Sequence, residues 1–185
     1  MARIPLDAPP TLFNRFARWY ARRTYGRDLQ PAEAALHNTR VATAYAVQES
    51  LIARWNRLDQ NLKALAVMAA AQRINCPWCL DFGFWEFYSK GTPIAKLEAV
   101  ARWRTSEIFS DDERAVMAYA EAMTGDVATE VTDGMVSDLS DRFGHEALVE
   151  LTMMVAVENL RSRFNSALGL TPQGFKDLCP LTRSA

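Results

Sequence analysis

The chain has 185 residues, of which 49% are hydrophobic, and its formal net charge at pH 7 is -1. This length and composition predict one domain with a sizeable core and exclude a disordered chain. The small net charge gives no electrostatic reason to expect nucleic acid or a membrane surface as a partner. No stretch is long and apolar enough to span a bilayer, and we expect no secretory signal in the first ten residues.

Cysteine usage indicates a reducing compartment, so we expect the protein to be cytoplasmic. The chain has three cysteines, an odd number without the spacing of a disulfide framework. Two of them, Cys76 and Cys79, form a Cys-x-x-Cys pair. In a reducing compartment such a pair is catalytic or redox-sensing if it has a role beyond packing.

The N-terminal region predicts an extended arm followed by a basic amphipathic helix. Three prolines within the first ten residues oppose helix formation there. The helix predicted from Thr11 carries aromatic residues on one side and four arginines: Phe13, Phe16, Trp19, Tyr20, Arg15, Arg18, Arg22 and Arg23. We interpret the arginines as a solvated face on a helix that docks its aromatic residues onto the body or a partner subunit. A membrane surface or an anionic ligand is the alternative.

The rest of the chain predicts a series of helices with short connections. Asp59 has the position of an N-cap, Ser110 and Glu113 form a capping box, and Gly125 and Gly144 end helices. One predicted helix starts at Pro93, and a short tail helix starts at Thr171. The other predicted helices cover Thr39 to Trp55, Gln60 to Ile74, Pro77 to Ser89, Asp111 to Gly125, Thr132 to Gly144 and His145 to Leu168. No segment alternates as a strand does, so we predict an all-α fold.

The stretch from Asn75 to Trp85 carries the clearest chemical signal. Pro77 fits the first position of a helix, which makes Cys76 the N-cap and places Cys79 in the first turn. The unpaired N–H groups and the positive end of the helix dipole favour a thiolate there. The pair therefore predicts a redox site.

Two alternative readings of the pair are packing in the core and metal binding. Cysteine is often buried without any chemical role. A structural zinc site needs four ligands, usually as two pairs. The other ligand-type residues, Cys179, His37 and His145, do not form a second pair, so we predict no metal site.

Several motifs follow one another in a characteristic order along the chain. They are Leu62-Lys63-Ala64-Leu65 with the alanine run after it, Asn75-Cys76-Pro77-Trp78-Cys79, Phe109-Ser110-Asp111-Asp112-Glu113-Arg114-Ala115, Ala120-Glu121-Ala122-Met123-Thr124, Val131-Thr132-Asp133, Leu148-Val149-Glu150-Leu151-Thr152 and Arg163-Phe164-Asn165. Together they resemble the carboxymuconolactone decarboxylase superfamily and, within it, the AhpD-like alkylhydroperoxidase branch. The resemblance covers an AhpD-like helical domain (37–170), and the sequence pattern adds an N-terminal arm and basic helix (1–36) and a C-terminal tail (171–185).

The resemblance implies an AhpD-like helical bundle that assembles as a dimer, trimer or hexamer and needs no cofactor. In peroxidase members the two cysteines form a redox pair. By this analogy Cys79 attacks a peroxide O–O bond or a partner disulfide, Cys76 resolves the intermediate to a disulfide, and a thiol electron donor regenerates the pair. The helix start alone favours Cys76 as the attacking thiol almost as well. We therefore predict an alkylhydroperoxidase-like oxidoreductase that reduces organic hydroperoxides or disulfides.

The sequence departs from the peroxidase pattern at the proton relay. Peroxidase members use a glutamate on the preceding helix and a histidine four residues after the second cysteine, and these positions fall on Ala64 and Gly83. Glu158, in an apolar run, is one candidate acid or base to replace them. We interpret Glu158 as paired with Arg161 or another arginine, and a base facing the cysteines is the alternative.

Glu86 and Asp81 are the other two candidate acids or bases. Glu86 lies two turns beyond Cys79, roughly 10 Å along the helix, which is too far for a direct hydrogen bond. Asp81 points nearly opposite to Cys79 on the helix, so we interpret it as a surface or ion-pair residue. Aromatic residues near the pair, Trp78, Phe82 and Trp85, are core or interface residues by default, and the alternative is an apolar pocket for a small apolar substrate.

Two other functions fit the same residues. One is a non-redox carboxymuconolactone decarboxylase-like enzyme acting on a small organic acid, which the lack of a well-placed histidine disfavours. The other is a non-catalytic ligand-binding oligomer, which the missing relay favours. Neither nucleic acid nor a membrane is an expected partner for any of these functions.

Overall fold

The computed structural model describes residues 2–180, and all regular secondary structure in that range is helical, which confirms the prediction of an all-α fold. The helices are α1 (Leu12–Tyr25), α2 (Gln30–Ala35), α3 (Thr39–Ile52), α4 (Gln60–Ile74), α5 (Pro77–Ser89), α6 (Ile94–Ala99), α7 (Asp111–Thr124), α8 (Val127–Glu130) and α9 (Asp133–Ala167), with 3-10 turns at Val100–Arg102 and Lys176–Leu178. None of these helices is both long and apolar enough to cross a membrane. Residues 181–185, the end of the predicted tail, lie outside the described residues.

Two of the helices begin at the caps that the sequence predicts. Asp59 accepts hydrogen bonds from the backbone N–H groups of Asn61 and Leu62 at 2.9 and 3.2 Å. At α7 the Ser110 hydroxyl accepts from the Glu113 N–H at 3.3 Å, and the Glu113 carboxylate accepts from the Ser110 N–H at 2.9 Å. Each such cap contributes about 1 kcal/mol to stability. Local sequence therefore fixes where α4 and α7 start.

The described chain forms two compact units. The first contains residues 2–55 and 167–171, and the second contains residues 56–166 and 172–180. Helices α1 to α3 belong to the first unit. Helices α4 to α8 and nearly all of α9 belong to the second, which therefore holds both cysteines of the Cys-x-x-Cys pair.

The first unit is held together by polar contacts of α1. The Arg18 guanidinium binds both carboxylate oxygens of Glu33 at 2.7 Å. The Asn14 amide donates to the carbonyl oxygens of Pro9 and Leu36 at 2.7 and 3.2 Å. Large apolar side chains of α1 and α3 are more than half exposed: Leu12, Phe16, Trp19, Tyr20, Val47 and Leu51. Docking of the α1 aromatic face, onto the body of the chain or onto a partner subunit, stays a prediction.

Helix α4 is the central helix of the second unit and packs against α5, α6 and α7. Its alanine run is almost completely buried, from Ala64 through Ala71. Small side chains let neighbouring helices approach closely, which is why an alanine-rich helix lies at the centre of this unit. The position of α4 matters for the site because α5 packs against it and begins two residues after its C-cap.

A buried ion pair joins α4 to α9. The Lys63 ammonium contacts the Glu150 carboxylate, and both side chains are buried. The same carboxylate accepts a hydrogen bond from the Arg57 N–H at 2.7 Å. Burial raises the pKa of Glu150, but the hydrogen bonds from Lys63 and Arg57 outweigh it, so the pKa is lowered overall. Glu150 is therefore ionised at neutral pH and bound to Lys63.

Helix α9 combines two helices that the sequence predicts separately. Gly144 has φ 77° and ψ 165°, which is not helical, and it kinks α9 where the first predicted helix ends. A residue with a side chain rarely adopts this conformation, so glycine is required at the kink. The predicted tail helix from Thr171 is wrong, because residues 171–175 are not helical and only the short turn Lys176–Leu178 follows.

Candidate active site

The two cysteines meet where α4 ends and α5 begins. Asn75 takes a left-handed backbone conformation (φ 59°), which turns the chain sharply between the two helices. Pro77 is the first residue of α5 and Cys76 is its N-cap, as predicted. The Cys79 N–H donates to the Cys76 sulfur at 3.3 Å, and the two sulfurs form a disulfide of 2.10 Å. A closed disulfide ring therefore occupies the N-terminus of α5.

Two polar side chains of α9 contact the sulfur of Cys79. The Asn165 amide donates to it at 3.3 Å, and the Ser162 hydroxyl lies 3.3 Å away. Both side chains are almost completely buried. Hydrogen-bond donors aimed at a sulfur favour its thiolate form once the disulfide is reduced. The two sulfurs therefore differ: Cys79 faces side-chain donors, whereas Cys76 accepts from a backbone N–H.

Glu158 contacts the Ser162 hydroxyl, which in turn contacts the Cys79 sulfur. Its Oε1 lies 2.6 Å from the Ser162 hydroxyl, which places a carboxyl group one hydroxyl away from the Cys79 sulfur. The side chain is only 4% exposed. Arg161 approaches the other carboxylate oxygen at 3.6 Å. The structure thus contains both arrangements considered for Glu158, the ion pair with Arg161 and a position facing the cysteines.

The sequence did not lead to Ser162 and Asn165 as site residues, although their spacing along α9 places them on its buried face. Buried residues of this helix recur three and four positions apart, at Leu151, Val155, Glu158, Ser162 and Asn165. Such spacing places side chains on one face of a helix. A polar residue in that phase must find a partner in the core. Polar residues in phase with a buried stripe were the signal that could have found them.

Asp81 is buried, and its interpretation as a surface or ion-pair residue is wrong. The side chain is 6% exposed. Its carboxylate accepts hydrogen bonds from the backbone N–H groups of Gln173, Phe175 and Lys176 at 2.7, 3.2 and 2.9 Å. These bonds use N–H groups that a tail helix would need for itself. Asp81 therefore anchors the chain after α9 in an irregular conformation.

The same tail segment packs against the aromatic residues for which a pocket was predicted. Trp78, Phe82 and Trp85 lie along α5, with ring centroids 4.8 and 5.6 Å apart between neighbours. Phe175, fully buried, contacts Phe82 and Trp85 with centroid distances of 5.1 and 5.3 Å. The Trp78 indole donates to the Gln173 side-chain oxygen at 2.8 Å. Phe175 and Gln173 thus contact these aromatic residues, whose role towards a substrate stays a prediction.

Glu86, the third candidate acid or base, has a different partner. Its carboxylate binds the Lys90 ammonium one turn further along α5, at 2.7 Å. Pairs of this kind on a helix surface contribute little to stability. No described contact links Glu86 to the cysteines, so its role as an acid or base stays a prediction.

Comparisons with known proteins identify the family of this chain. Residues 41–122 match the Carboxymuconolactone decarboxylase family. The chain is also 33% identical over 174 residues to the uncharacterized protein YnjA of Escherichia coli strain K12, covering 92% of this chain and 93% of YnjA. The chain belongs to the carboxymuconolactone decarboxylase family.

Solved structures with low sequence identity to this family member share its fold. An uncharacterized peroxidase-related protein from Silicibacter sp. TM1040 superimposes with a TM-score of 0.83 at 13% identity, covering 95% of this chain and 94% of that one. An alkylhydroperoxidase AhpD core protein, an uncharacterized peroxidase-related protein from Ralstonia eutropha JMP134, gives 0.78 at 17% identity, with coverage of 95% and 94%. At these identities the similarity shows an AhpD-like fold and nothing further.

At Gly83, one of the two positions where the relay residues were expected, an added side chain would meet Met68. A Cβ atom added to Gly83 would lie 2.8 Å from the Met68 sulfur, closer than Cβ contacts normally come. The thioether of Met68 thus packs where a histidine at position 83 would begin. At the other relay position, Ala64 is fully buried within α4. The acid and hydroxyl groups near the disulfide come instead from α9.

The other residues that could bind a metal or take part in redox chemistry contact different partners from those of the cysteine pair. Cys179 is a free, buried thiol, and burial raises its pKa. His37 bonds to the Pro5 carbonyl at 2.8 Å, and His145 bonds to the Ser140 hydroxyl at 2.8 Å. Within residues 2–180 no group of three or more His, Cys, Asp or Glu side chains is arranged to hold a metal ion.

Proposed function

We propose that this protein is a thiol-dependent oxidoreductase whose Cys76 and Cys79 cycle between dithiol and disulfide. The observation that carries the proposal is the environment of the Cys79 sulfur. It lies in the first turn of α5 and within 3.3 Å of two buried side chains, Ser162 and Asn165. The helix N-terminus and these donors stabilise negative charge on this sulfur, so Cys79 is the attacking thiol.

The substrates proposed are organic hydroperoxides, or disulfides of a partner. The Cys79 thiolate attacks one oxygen of the peroxide, the O–O bond breaks, and the leaving alkoxide takes up a proton to give an alcohol. The sulfenic acid on Cys79 then reacts with the Cys76 thiol, releasing water and forming the disulfide. A thiol electron donor reduces the disulfide by exchange, and the donor becomes oxidised. A reducing compartment such as the cytoplasm would supply that donor.

We further propose that the active form is a homo-oligomer. Exposed apolar residues of α9, namely Val149, Met153 and Leu160, recur at spacings of four and seven. This spacing is typical of a helix that packs against another helix. The apolar faces of α1 and α3 are also exposed, and a second copy of the chain is the occupant proposed for the α9 stripe.

The test counts thiols by mass. Reduced protein is treated with one equivalent of cumene hydroperoxide, and free thiols are then trapped with iodoacetamide and counted by intact mass. We expect the rapid loss of two thiols, Cys76 and Cys79, while Cys179 stays reduced. The Cys79→Ser variant is the control and should not react.

Thiols that survive the oxidant in folded protein would overturn the proposal. Turnover that persists without both cysteines would instead favour a non-redox enzyme of this family.

A further inference from the structure

The Ser162 hydroxyl has one hydrogen and two neighbours that can accept it. Glu158 Oε1 lies 2.6 Å from the hydroxyl oxygen, and the Cys79 sulfur lies 3.3 Å from it. A hydroxyl donates one hydrogen bond at a time and accepts others through its lone pairs. Ser162 therefore has two hydrogen-bonding states, and the position of one proton decides which is populated.

We propose that Glu158 and Ser162 form a proton relay that stores the proton of the Cys79 thiol and returns it to the leaving group. The inference rests on the proposed thiol chemistry and assigns the acid and base that this chemistry needs. In the disulfide state the sulfur is a poor acceptor, so Ser162 donates to the Glu158 carboxylate. In the reduced state the carboxyl group holds the proton and donates to Ser162, which then donates to the Cys79 thiolate.

The proton balance of the peroxidase step follows from these two states. The Cys79 thiol passes its proton through the Ser162 oxygen to the Glu158 carboxylate, which leaves a thiolate and a carboxylic acid. The thiolate attacks the peroxide, and the O–O bond breaks. The proton returns from Glu158 through Ser162 to the alkoxide as it leaves, which gives an alcohol and restores the carboxylate. No proton is gained or lost overall in this step.

Two further contacts support this arrangement. Arg161, 3.6 Å from the second oxygen of Glu158, compensates the carboxylate charge in the resting state. Asn165 donates to the Cys79 sulfur independently of Ser162, so a donor stays on the thiolate while the hydroxyl proton moves. Glu158, Ser162 and Asn165 are buried, which limits bulk water as a competing proton source. In this reading Ser162 touches the reacting sulfur, and Glu158 acts through Ser162.

The simpler alternative is that Ser162 only satisfies a buried carboxylate within one helix. The two readings differ in which reactions need the acid. Peroxide cleavage needs a proton on its leaving alkoxide, whereas alkylation by iodoacetamide releases iodide, which needs none. At a pH where Cys79 is already a thiolate, loss of the relay should slow the first reaction and spare the second. A purely structural role would change both reactions together or neither of them.

The experiment measures both reactions on the reduced full-length protein. Sulfenic acid formation with cumene hydroperoxide is followed by stopped flow, and Cys79 alkylation is followed by peptide mass spectrometry. We expect Glu158→Gln and Ser162→Ala each to lower the peroxide rate constant by about 100-fold and to leave the alkylation rate within about 3-fold. The double variant should be no slower than either single variant, because the two residues act in one relay. Matched controls are Glu146→Gln and Ser166→Ala, on the same helix.

Three outcomes would overturn the relay. One is an unchanged peroxide rate in Glu158→Gln while the wild-type protein reacts. Another is an equal loss of both reactions. The third is effects that multiply in the double variant. If Glu158→Gln does not fold, Ser162→Ala alone, compared with its control, still decides between the two readings. A wild-type protein that reacts with neither peroxide nor a small disulfide would overturn the proposed function itself, and the relay with it.

Discussion

The carboxylate of Asp81 and the backbone N–H of Gln173 are joined by a 2.7 Å hydrogen bond. Through this bond and two others, a residue in the middle of α5 holds the segment that follows α9. That segment places Phe175 against the aromatic residues of α5. The helix that carries the cysteines is therefore covered by the chain's own tail on its aromatic side.

Replacing Asp81 should destabilise the protein. Asp81→Ala removes a buried carboxylate and leaves three backbone N–H groups without their acceptor, so we expect the free energy of unfolding to fall by about 3 kcal/mol. Urea denaturation measures it, and limited proteolysis should find new cleavage within residues 172–180. Asp177→Ala, which alters an exposed carboxylate in the same segment, should change stability by less than about 0.5 kcal/mol. Equal effects of the two substitutions would contradict the anchoring role of Asp81.

Stability should fall on acidification because of Glu150. Its pKa in the folded protein is lowered from the ordinary value of 4.5. A lowered pKa in the folded state stabilises the protein above the unfolded-state pKa, and this stabilisation is lost as pH falls through the folded-state pKa. We therefore expect the free energy of unfolding to decrease as pH falls below about 4.5, measured by urea denaturation at several pH values.

The Glu150→Gln variant tests the origin of that pH dependence. Removing one partner of a buried pair should cost about 3 kcal/mol at pH 7 and flatten the acid limb of the stability curve. Glu146→Gln is the control, because its ion pair with Arg57 at 3.3 Å is exposed and worth less than about 1 kcal/mol. If Glu150→Gln kept the wild-type acid limb, other carboxylates would be responsible for it.

Cys179 should react slowly in the folded protein. Burial raises the pKa of its thiol, and the nearby charge of Lys176 only partly opposes this. Because the thiolate is the nucleophile, we expect iodoacetamide to label Cys179 at least about 10-fold more slowly than Cys79 in reduced protein at neutral pH. Peptide mass spectrometry over a time course measures both rates. Labelling of Cys179 at the rate seen in urea-unfolded protein would show that it is not protected.

The exposed stripe on α9 should govern self-association. Met153→Lys places a charge in the centre of the proposed contact, and we expect light scattering after gel filtration to show a smaller assembly than that of the wild-type protein. Ile108→Lys is a matched control, because Ile108 is 45% exposed and Met153 is 47% exposed. A monomeric wild-type protein, or an unchanged mass for Met153→Lys, would contradict the proposed interface.

The sequence predicted the helices better than the contacts between them. Caps at Asp59 and Ser110, and the helix start at Pro77, depend on neighbours within a few residues, and the structure contains all three. The contacts of Asp81 with a segment more than ninety residues away depend on tertiary packing. Helical phase alone suggested that Asp81 faces solvent, and nothing local reveals that a tail covers it.

For the candidate site, too, the sequence predicted the features that depend on neighbouring residues and missed those that depend on tertiary packing. The position of Cys76 and Cys79 at a helix start follows from Pro77 and could be predicted. The apolar run around Glu158 did indicate a buried acid. The spacing of Ser162 and Asn165 along α9 marks them as buried polar residues, but their contact with the Cys79 sulfur depends on the register of α9 against α5, which the sequence does not show. Ser162 and Asn165 were therefore missed.

The three polar groups of α9 have a spacing that can be searched for in other sequences. Glu158, Ser162 and Asn165 come from eight consecutive residues, and Ser162 follows Cys79 at a distance of 83 positions. A glutamate, a serine four residues on and an asparagine three further on thus form a compact signature. Chains that pair this signature with Cys-Pro-x-Cys, and lack the glutamate and histidine of the usual relay, would form a subgroup defined by a transferable segment of one helix.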